Sequence, residues 1–422
     1  MISEPNDLDA GVRNAIANAA STLTAGDPRA HVFYEERTDL RMTLASSGRR
    51  DVVVTRTRGA AVSGRHSIHI TDPEFLDPGA VARTLSVEDL ETVIVRSGAA
   101  ACVGRRHPFW SAVLVGFEQA IWVGTHEGGV VRDIRRGCRV ELRARVGAEA
   151  ATGAVEEFVV STNDAPSLAD RFSSAFDRAE ERIAPFQAMP RGPTAAVFAP
   201  GVAGIVVHEL VGHALEGDVL ARRATWIQRA GLPSAGRPIT VVDDPRRGRG
   251  AWTIDDEGTR AGETVLIEDG VSAGLLLDRP SATTLGMVST GHGRRSSYLD
   301  SVRPRMGCTF LVAGSDDPED VLRSTRSGVF IRRLAAGHTD PGVGSASFIV
   351  TDADRIIDGR LAGPVESFVM DINGPQMWTS IDRVAHDLAF DTCVGSCVRD
   401  GQPLAVSVGA PTIRIGVVTV HS

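Results

Sequence analysis

The segment His208-Glu209-Leu210-Val211-Gly212-His213 sets two imidazoles around a glutamate inside an apolar run. These residue types suit zinc-hydrolase chemistry: neutral nitrogen ligands for the ion, and a carboxylate beside it to take a proton from water. Core packing accounts for them poorly, because two His and one Glu would share the same few buried turns. The spacing is unusual. HExxH places its imidazoles at i and i+4, on one face of an α-helix. Here they stand at i and i+5, roughly 140° apart on an ideal helix and too far for one ion. A single-turn π-bulge inserts one residue and returns i and i+5 to one face, and such bulges favour functional sites. The spacing therefore predicts a locally widened helix at 208–213 within a helix over 202–215, with Gly212 easing the distortion. The alternative, two unrelated His on a buried helix, leaves the flanking acids to find partners of their own.

A third ligand is available from five cysteines, Cys102, Cys138, Cys308, Cys393 and Cys397. An odd number, in a chain whose acidic start has no basic-then-apolar signal, argues against a disulfide framework. Cys102, Cys138 and Cys308 lie in apolar or strand-like contexts and read as buried thiols. Cys393 and Cys397 have C-x-x-x-C spacing, by itself a weak metal signal. One of the pair is enough to complete a His₂Cys site with a fourth position open for water.

Read on to Asp218, the motif HELVGHALEGD resembles the HExxxH-G/A-LEGD signature of the TldD/PmbA metallopeptidases. The resemblance continues in VVDD (Val241 to Asp244), DDEGT (Asp255 to Thr259), RPRMGCTF (Arg303 to Phe310) and GSCVRDGQPLAVSVGAPTIRI (Gly395 to Ile415). These blocks lie in order over roughly the last half of the chain. The first half matches only loosely, in Asp39-Leu40-Arg41 and in Gly59 to Arg65. The resemblance implies that His208, His213 and Cys397 hold one zinc ion per chain, with Glu209 as general base. Cys393 is then a bystander. It also implies cleavage of unstructured peptides, including leader removal from modified peptides. The expected substrate is an extended chain paired by its backbone to a sheet edge. The implied assembly is a dimer, either of two copies or with a relative lacking the metal motif; the intact motif marks this chain as the catalytic member. Two alternatives stay open. One is an amidase acting on a small molecule in a natural-product pathway, and the other is a non-catalytic partner subunit.

Other polar residues are candidates for supporting roles. Glu216 and Asp218 follow the second His closely enough to hold an imidazole N–H, although acids at a helix C-terminus oppose its dipole. Asp255-Asp256-Glu257 reads as an exposed turn. His292 lies in a Gly-rich loop and is either a substrate or oxyanion contact or a surface residue. His338 falls where the family has a glycine-rich stretch, which implies altered substrate contacts. Tyr298, one of two tyrosines, is a possible oxyanion donor.

The chain has no lysine: all 45 basic residues are Arg. A Schiff-base lysine, a pyridoxal-phosphate anchor and a P-loop lysine are therefore excluded. The net charge of −8 disfavours phosphate-backbone binding, so no nucleic-acid partner is expected. The Arg groups at 105–106, 135–136, 246–249 and 294–295 read as solvated surface. No apolar run reaches membrane-spanning length, and a cytoplasmic location is expected.

These residues need a scaffold, and 422 residues suffice for two domains. Helix is predicted over 7–24, 72–85 and 167–183. Strands are predicted over 31–37, 40–46, 51–58, 59–68, 139–146 and 155–161, with 93–103 and 112–123 strand or mixed. Pro185 to Pro193 marks a linker. A short strand at 195–198 leads through Pro200-Gly201 into the metal helix. A Gly-, Pro- and Arg-rich loop over 230–250 is a candidate cover for the site. The expected fold is α+β. Residues 1–190 form a helix-plus-sheet domain, and 191–422 a largely antiparallel-sheet domain carrying the metal helix.

Overall fold

A computed structural model describes residues 6–23, 30–63, 68–71, 87–125, 129–147, 153–159, 165–230, 238–390 and 396–421. The first half is one antiparallel sheet, in the order β3 (Ile68–Thr71), β2 (Arg50–Ser63), β1 (His31–Ala45), β4 (Phe109–Thr125), β5 (Val130–Arg145), β6 (Gly153–Val159). The strands are longer than the local pattern predicts. Residues 31–37 and 40–46 merge into β1, and 51–58 and 59–68 largely into β2. The charged stretch Glu36–Asp39 interrupts the apolar alternation without ending the strand, because its residues are matched across the sheet and along it. Glu36 faces Arg58, and Arg37 pairs Asp39 at 2.8 Å.

Helix α1 (Asn6–Leu23) lays Val12, Ile16 and Ala20 against Val32, Tyr34 and Trp122. The stretch expected as strand or mixed at 93–103 is instead mostly α2 (Val87–Ala101). It shares a core with α3 (Ala165–Glu181), where Phe172 meets Trp110 edge-on at 5.3 Å. The helix expected over 72–85 lies outside the described residues.

The second half is built on two larger sheets, antiparallel but for two pairings. In one, the path runs Ser327–Asp340, β7 (Gly192–Phe198), Ile413–His421, Phe368–Asn373, Ser345–Ile357, Arg360–Pro364. It closes on itself, because Ser327–Asp340 also pairs Ser345–Ile357. Here β7 runs parallel to Ser327–Asp340. In the other, Cys308–Leu311 lies parallel to Ser407–Ala410. The largest core joins Phe198, Phe348, Met370 and Trp378 to the apolar face of the metal helix, Val206, Val207, Leu210 and Val211. Helices and antiparallel-rich sheets thus make an α+β fold.

Two buried ionic clasps cross between the halves. Arg178 of α3 and Arg182, just beyond its end, both reach Asp352, at 2.5 and 2.7 Å. Arg135 of β5, with no exposed surface, reaches Asp256 at 2.5 Å and the Ile254 carbonyl at 2.7 Å.

Candidate metal centre

Helix α4 (Ala203–Val207) is apolar and buried on its inner face. At His208 the coil widens: His208–Gly212 is a π turn, closed by the His213 N–H donating to the His208 carbonyl. A 3₁₀ turn, His213–Leu215, follows. A widened turn strands carbonyls that an α-helix would satisfy. Two side chains answer this. The Trp226 indole N–H donates to the Leu210 carbonyl at 2.8 Å, and the Thr339 hydroxyl to the Glu209 carbonyl at 3.3 Å. Gly212 serves a different purpose from the one expected. Its backbone is ordinary helix (φ −57°, ψ −56°), but a Cβ there would lie 1.9 Å from the Met306 sulfur. Close packing, not conformational freedom, demands the glycine.

The widened turn brings both rings to one side, with centroids 5.1 Å apart and planes at 83°. Cys397 arrives from strand Ser396–Arg399, paired with Gln402–Ala405 in a hairpin. Its Sγ lies 3.4 Å from His213 Nε2. One donor atom from each of His208, His213 and Cys397 lies within 4.8 Å of the others, and all three residues are buried. The buried Arg305 guanidinium fastens the hairpin by donating to the carbonyls of Cys397 (2.7 Å) and Gln402 (3.1 Å).

His213 Nδ1 meets Glu216 Oε2 at 2.9 Å, which turns Nε2 toward the sulfur. Glu216 is fully buried and also accepts from Arg399 Nη1 at 2.7 Å, while Arg399 Nη2 reaches Asp218 at 2.6 Å. Burial alone would raise the Glu216 carboxyl, but the charges of His213 and Arg399 hold it below its usual range. Burial likewise pushes the Cys397 thiol up, and His213 and His208 more than reverse this, holding it well below the ordinary thiol value. The Glu209 carboxylate stands 3.8 Å from His213 Nε2 and is 22% exposed.

These groups form one wall of a cleft of about 730 Å³. The hairpin, the segment 333–339 and Arg139 and Glu141 of β5 line the rest. The donor set fits a transition metal. Two imidazoles and a thiolate suit zinc, and tetrahedral bonds of about 2.0–2.3 Å put neighbouring donors roughly 3.4–3.6 Å apart, close to the observed sulfur–nitrogen separation. His208 Nδ1 is buried with no hydrogen-bond partner among the described residues.

Of the supporting candidates, Glu216 and Asp218 adjoin His213 as described. The dipole objection to them dissolves, because Glu216 stands immediately before a new helix, α5 (Gly217–Arg222), with Asp218 in its first turn. His338 is exposed and lines the cleft from strand Ser327–Asp340. His292 does not line it. It is fully buried, with Nε2 3.2 Å from Asp243 and Nδ1 beside Thr290, because its glycine-rich loop folds inward. Tyr298 also lies elsewhere. It packs against Phe33, Ile121 and Val123 of the N-terminal sheet, over Gly59, where a Cβ would come within 2.3 Å of the ring.

Asp255, Asp256 and Glu257, expected in an exposed turn, are all buried, as are Arg294 and Arg295. Each acid is met by remote donors: Asp255 by the Gly293 N–H, Asp256 by Arg135, Glu257 by the Arg279 N–H. Of the candidate covering loop, residues 230 and 238–250 are described, and none of 238–250 lines the cleft. Cys393 lies outside the described residues. Sequence reasoning missed Arg399, Arg305, Trp226 and Thr339. Only Arg399 carried a signal, its place two residues beyond Cys397 on the same face of a strand.

The family model for the PmbA/TldA metallopeptidase C-terminal domain matches residues 191–422. The chain is 33% identical over 236 residues to a metalloprotease TldD homolog of Haemophilus influenzae, covering 55% of this chain and 49% of that protein. It is 28% identical over 325 residues to the TldD homolog of Buchnera aphidicola from Acyrthosiphon pisum, covering 74% and 67%. The match thus spans about half the length of the first of these relatives and two thirds of the second. The crystal structure of TldE from Thermococcus kodakarensis shares the fold, with a TM-score of 0.74 at 16% identity over 98% of this chain and 100% of that one.

Proposed function

Because the chain belongs to the PmbA/TldA metallopeptidase family, we propose that it hydrolyses peptide bonds using one zinc ion held by His208, His213 and Cys397. The observation that carries this reading is the convergence of three buried donors within 4.8 Å, although Cys397 stands 184 residues from His213. Thiolate ligation favours zinc over magnesium or calcium. Bound there, zinc would polarise the scissile carbonyl and acidify a water.

The rest of the chemistry belongs to side chains. Glu209 takes the proton from the attacking water and hands it to the leaving amine. Glu216 fixes the His213 ring by accepting at Nδ1, and Arg399 fixes Glu216. Strand Ser327–Asp340 supplies the substrate edge. β7 pairs with it only over Val329–Ile331, and the strand then continues along the cleft through Ala335, Gly337 and His338. An extended peptide laid there would be read mainly by its backbone. His338 gives this wall a polar side chain.

The same reading makes 191–422 the catalytic domain and 1–190 its scaffold. It makes the active form a dimer, of two copies or with a relative without the motif. It places the protein in the cytoplasm, and among the described residues no helix is long and apolar enough to cross a membrane.

Glu209→Gln tests the reading. The variant should keep one zinc per chain by elemental analysis and lose turnover of an unstructured peptide by about 10²–10⁴-fold. Cys397→Ala should lose the zinc as well. Wild-type turnover in Glu209→Gln, or in protein stripped of metal, would overturn it.

A further inference from the structure

A second pocket, of about 230 Å³, shares Ser396 with the cleft but is otherwise lined by different residues. Three arginines from distant parts of the chain face it: Arg37 of β1, Arg249 and Arg294. Among the described residues the lining holds a single acid, Asp39, and Arg37 already binds it through both oxygens at 2.8 Å.

Arg294 is the informative member. It is only 5% exposed, and its guanidinium lies 4.3 Å over the Trp252 ring. Its one hydrogen bond among the described residues is a long contact, Nε to Asp256 at 3.4 Å. Asp256 is meanwhile occupied by Arg135 and by the Arg295 N–H at 2.7 Å. The Nη groups of Arg294 donate to no described residue. Burial, with Arg135 nearby, pushes this guanidinium down to about 9, the mark of a buried cation short of counter-charge. Its Nη groups open onto the pocket rather than into packed protein, so an acceptor that enters it meets them. Arg249 is also buried and reaches Ser396 Oγ at 3.5 Å.

We propose that this pocket binds a compact oxyanion, a carboxylate or phosphate group, between Arg294, Arg249 and Arg37. Planar guanidinium groups match such oxygens in pairs, and the volume admits a group of that size with a short carbon skeleton. The ligand would tie β1 of the N-terminal sheet to the second half of the chain, beside the hairpin that carries Cys397. The inference does not depend on the metal or on peptide hydrolysis.

The test is calorimetric titration of the full chain with inorganic phosphate, and separately with succinate, against chloride at equal ionic strength. One saturable site per chain is expected, with a melting temperature that rises with ligand concentration. Tighter succinate than phosphate identifies a carboxylate ligand, and the reverse a phosphate. Arg294→Gln should abolish binding. Arg37→Gln, at a partly exposed position that should not unfold the chain, should weaken it about tenfold, the value of one charge-assisted contact. If neither anion binds better than chloride, or if Arg37→Gln and Arg294→Gln bind as wild type does, the proposal is wrong.

Discussion

The cleft around Cys397 and the junction around Asp256 are made from the same materials: buried carboxylates, buried guanidinium groups and a histidine or two. At the junction, Arg135, Asp133, Asp256 and the Asp255 carboxylate bond one another or nearby backbone, and Arg294, held to Asp256 by one long contact, leads out to the second pocket. At the cleft the bonding chain is directional. It runs Asp218–Arg399–Glu216–His213 and ends on a nitrogen that faces sulfur and an open space. Burial and charge do not tell a working site from a structural one. What separates them is whether the chain of bonds ends within packed protein or on side chains that line a cleft, as His213 and Cys397 do.

The comparison can be broken by mutation, beginning where the effect should be greatest. Arg135→Met leaves Asp256 buried with one strong partner fewer, and should cost about 3–5 kcal/mol in denaturant unfolding. Zinc content and turnover per folded molecule should hardly change. If turnover falls in step with stability, the junction is part of the active site after all. Arg399→Met should do the reverse. Zinc affinity should drop by about 10–100-fold, read by competition with a chromophoric chelator, with a smaller loss of stability. Gly212→Ala sharpens the cleft side, because the new methyl meets the Met306 sulfur. Overpacking of this kind costs about 1–3 kcal/mol. Pairing it with Met306→Ala should recover part of the loss, and an absence of recovery would show that the turn itself rejects the methyl.

The subtlest test is of pH. Burial, then the neighbouring Asp255 charge, push the Glu257 carboxyl up to about 8. Folded Glu257 therefore holds its proton where the unfolded chain has released it. Its stabilisation is complete below the ordinary carboxylate range and is lost as pH rises toward 8. Glu257→Gln should flatten that decline in a series of melting temperatures, and an unchanged slope would mean that the carboxyl is charged in the fold.

Much of the cleft was legible from local spacing. The i, i+5 imidazoles demanded a widened turn, and the chain forms one at His208–Gly212. The α+β class also followed from patterns within single segments. The resemblance singled out Cys397; local spacing alone did not choose between it and Cys393. The junction was not legible. Asp256 is buried because Arg135, 121 residues earlier, reaches it, and no window around either residue contains that fact. Arg135, Arg249 and Arg294–Arg295 were misread as surface, and the burial of His292 was not foreseen, for the same reason: a Gly-rich, Arg-rich stretch looks solvated until its partners are known. Strand lengths failed more mildly, since the charged centre of β1 is matched by a neighbour that sequence pattern cannot see.

The hairpin bearing the sulfur also has a consequence in time. Strand Ile413–His421 lies between β7 and Phe368–Asn373 in the closed sheet, so the C-terminal half cannot finish folding until that stretch has left the ribosome. A nascent chain that has reached only residue 390 already carries both imidazoles but not Cys397. Until Cys397 has been made, such a chain holds two of the three candidate ligands, and the site cannot assemble.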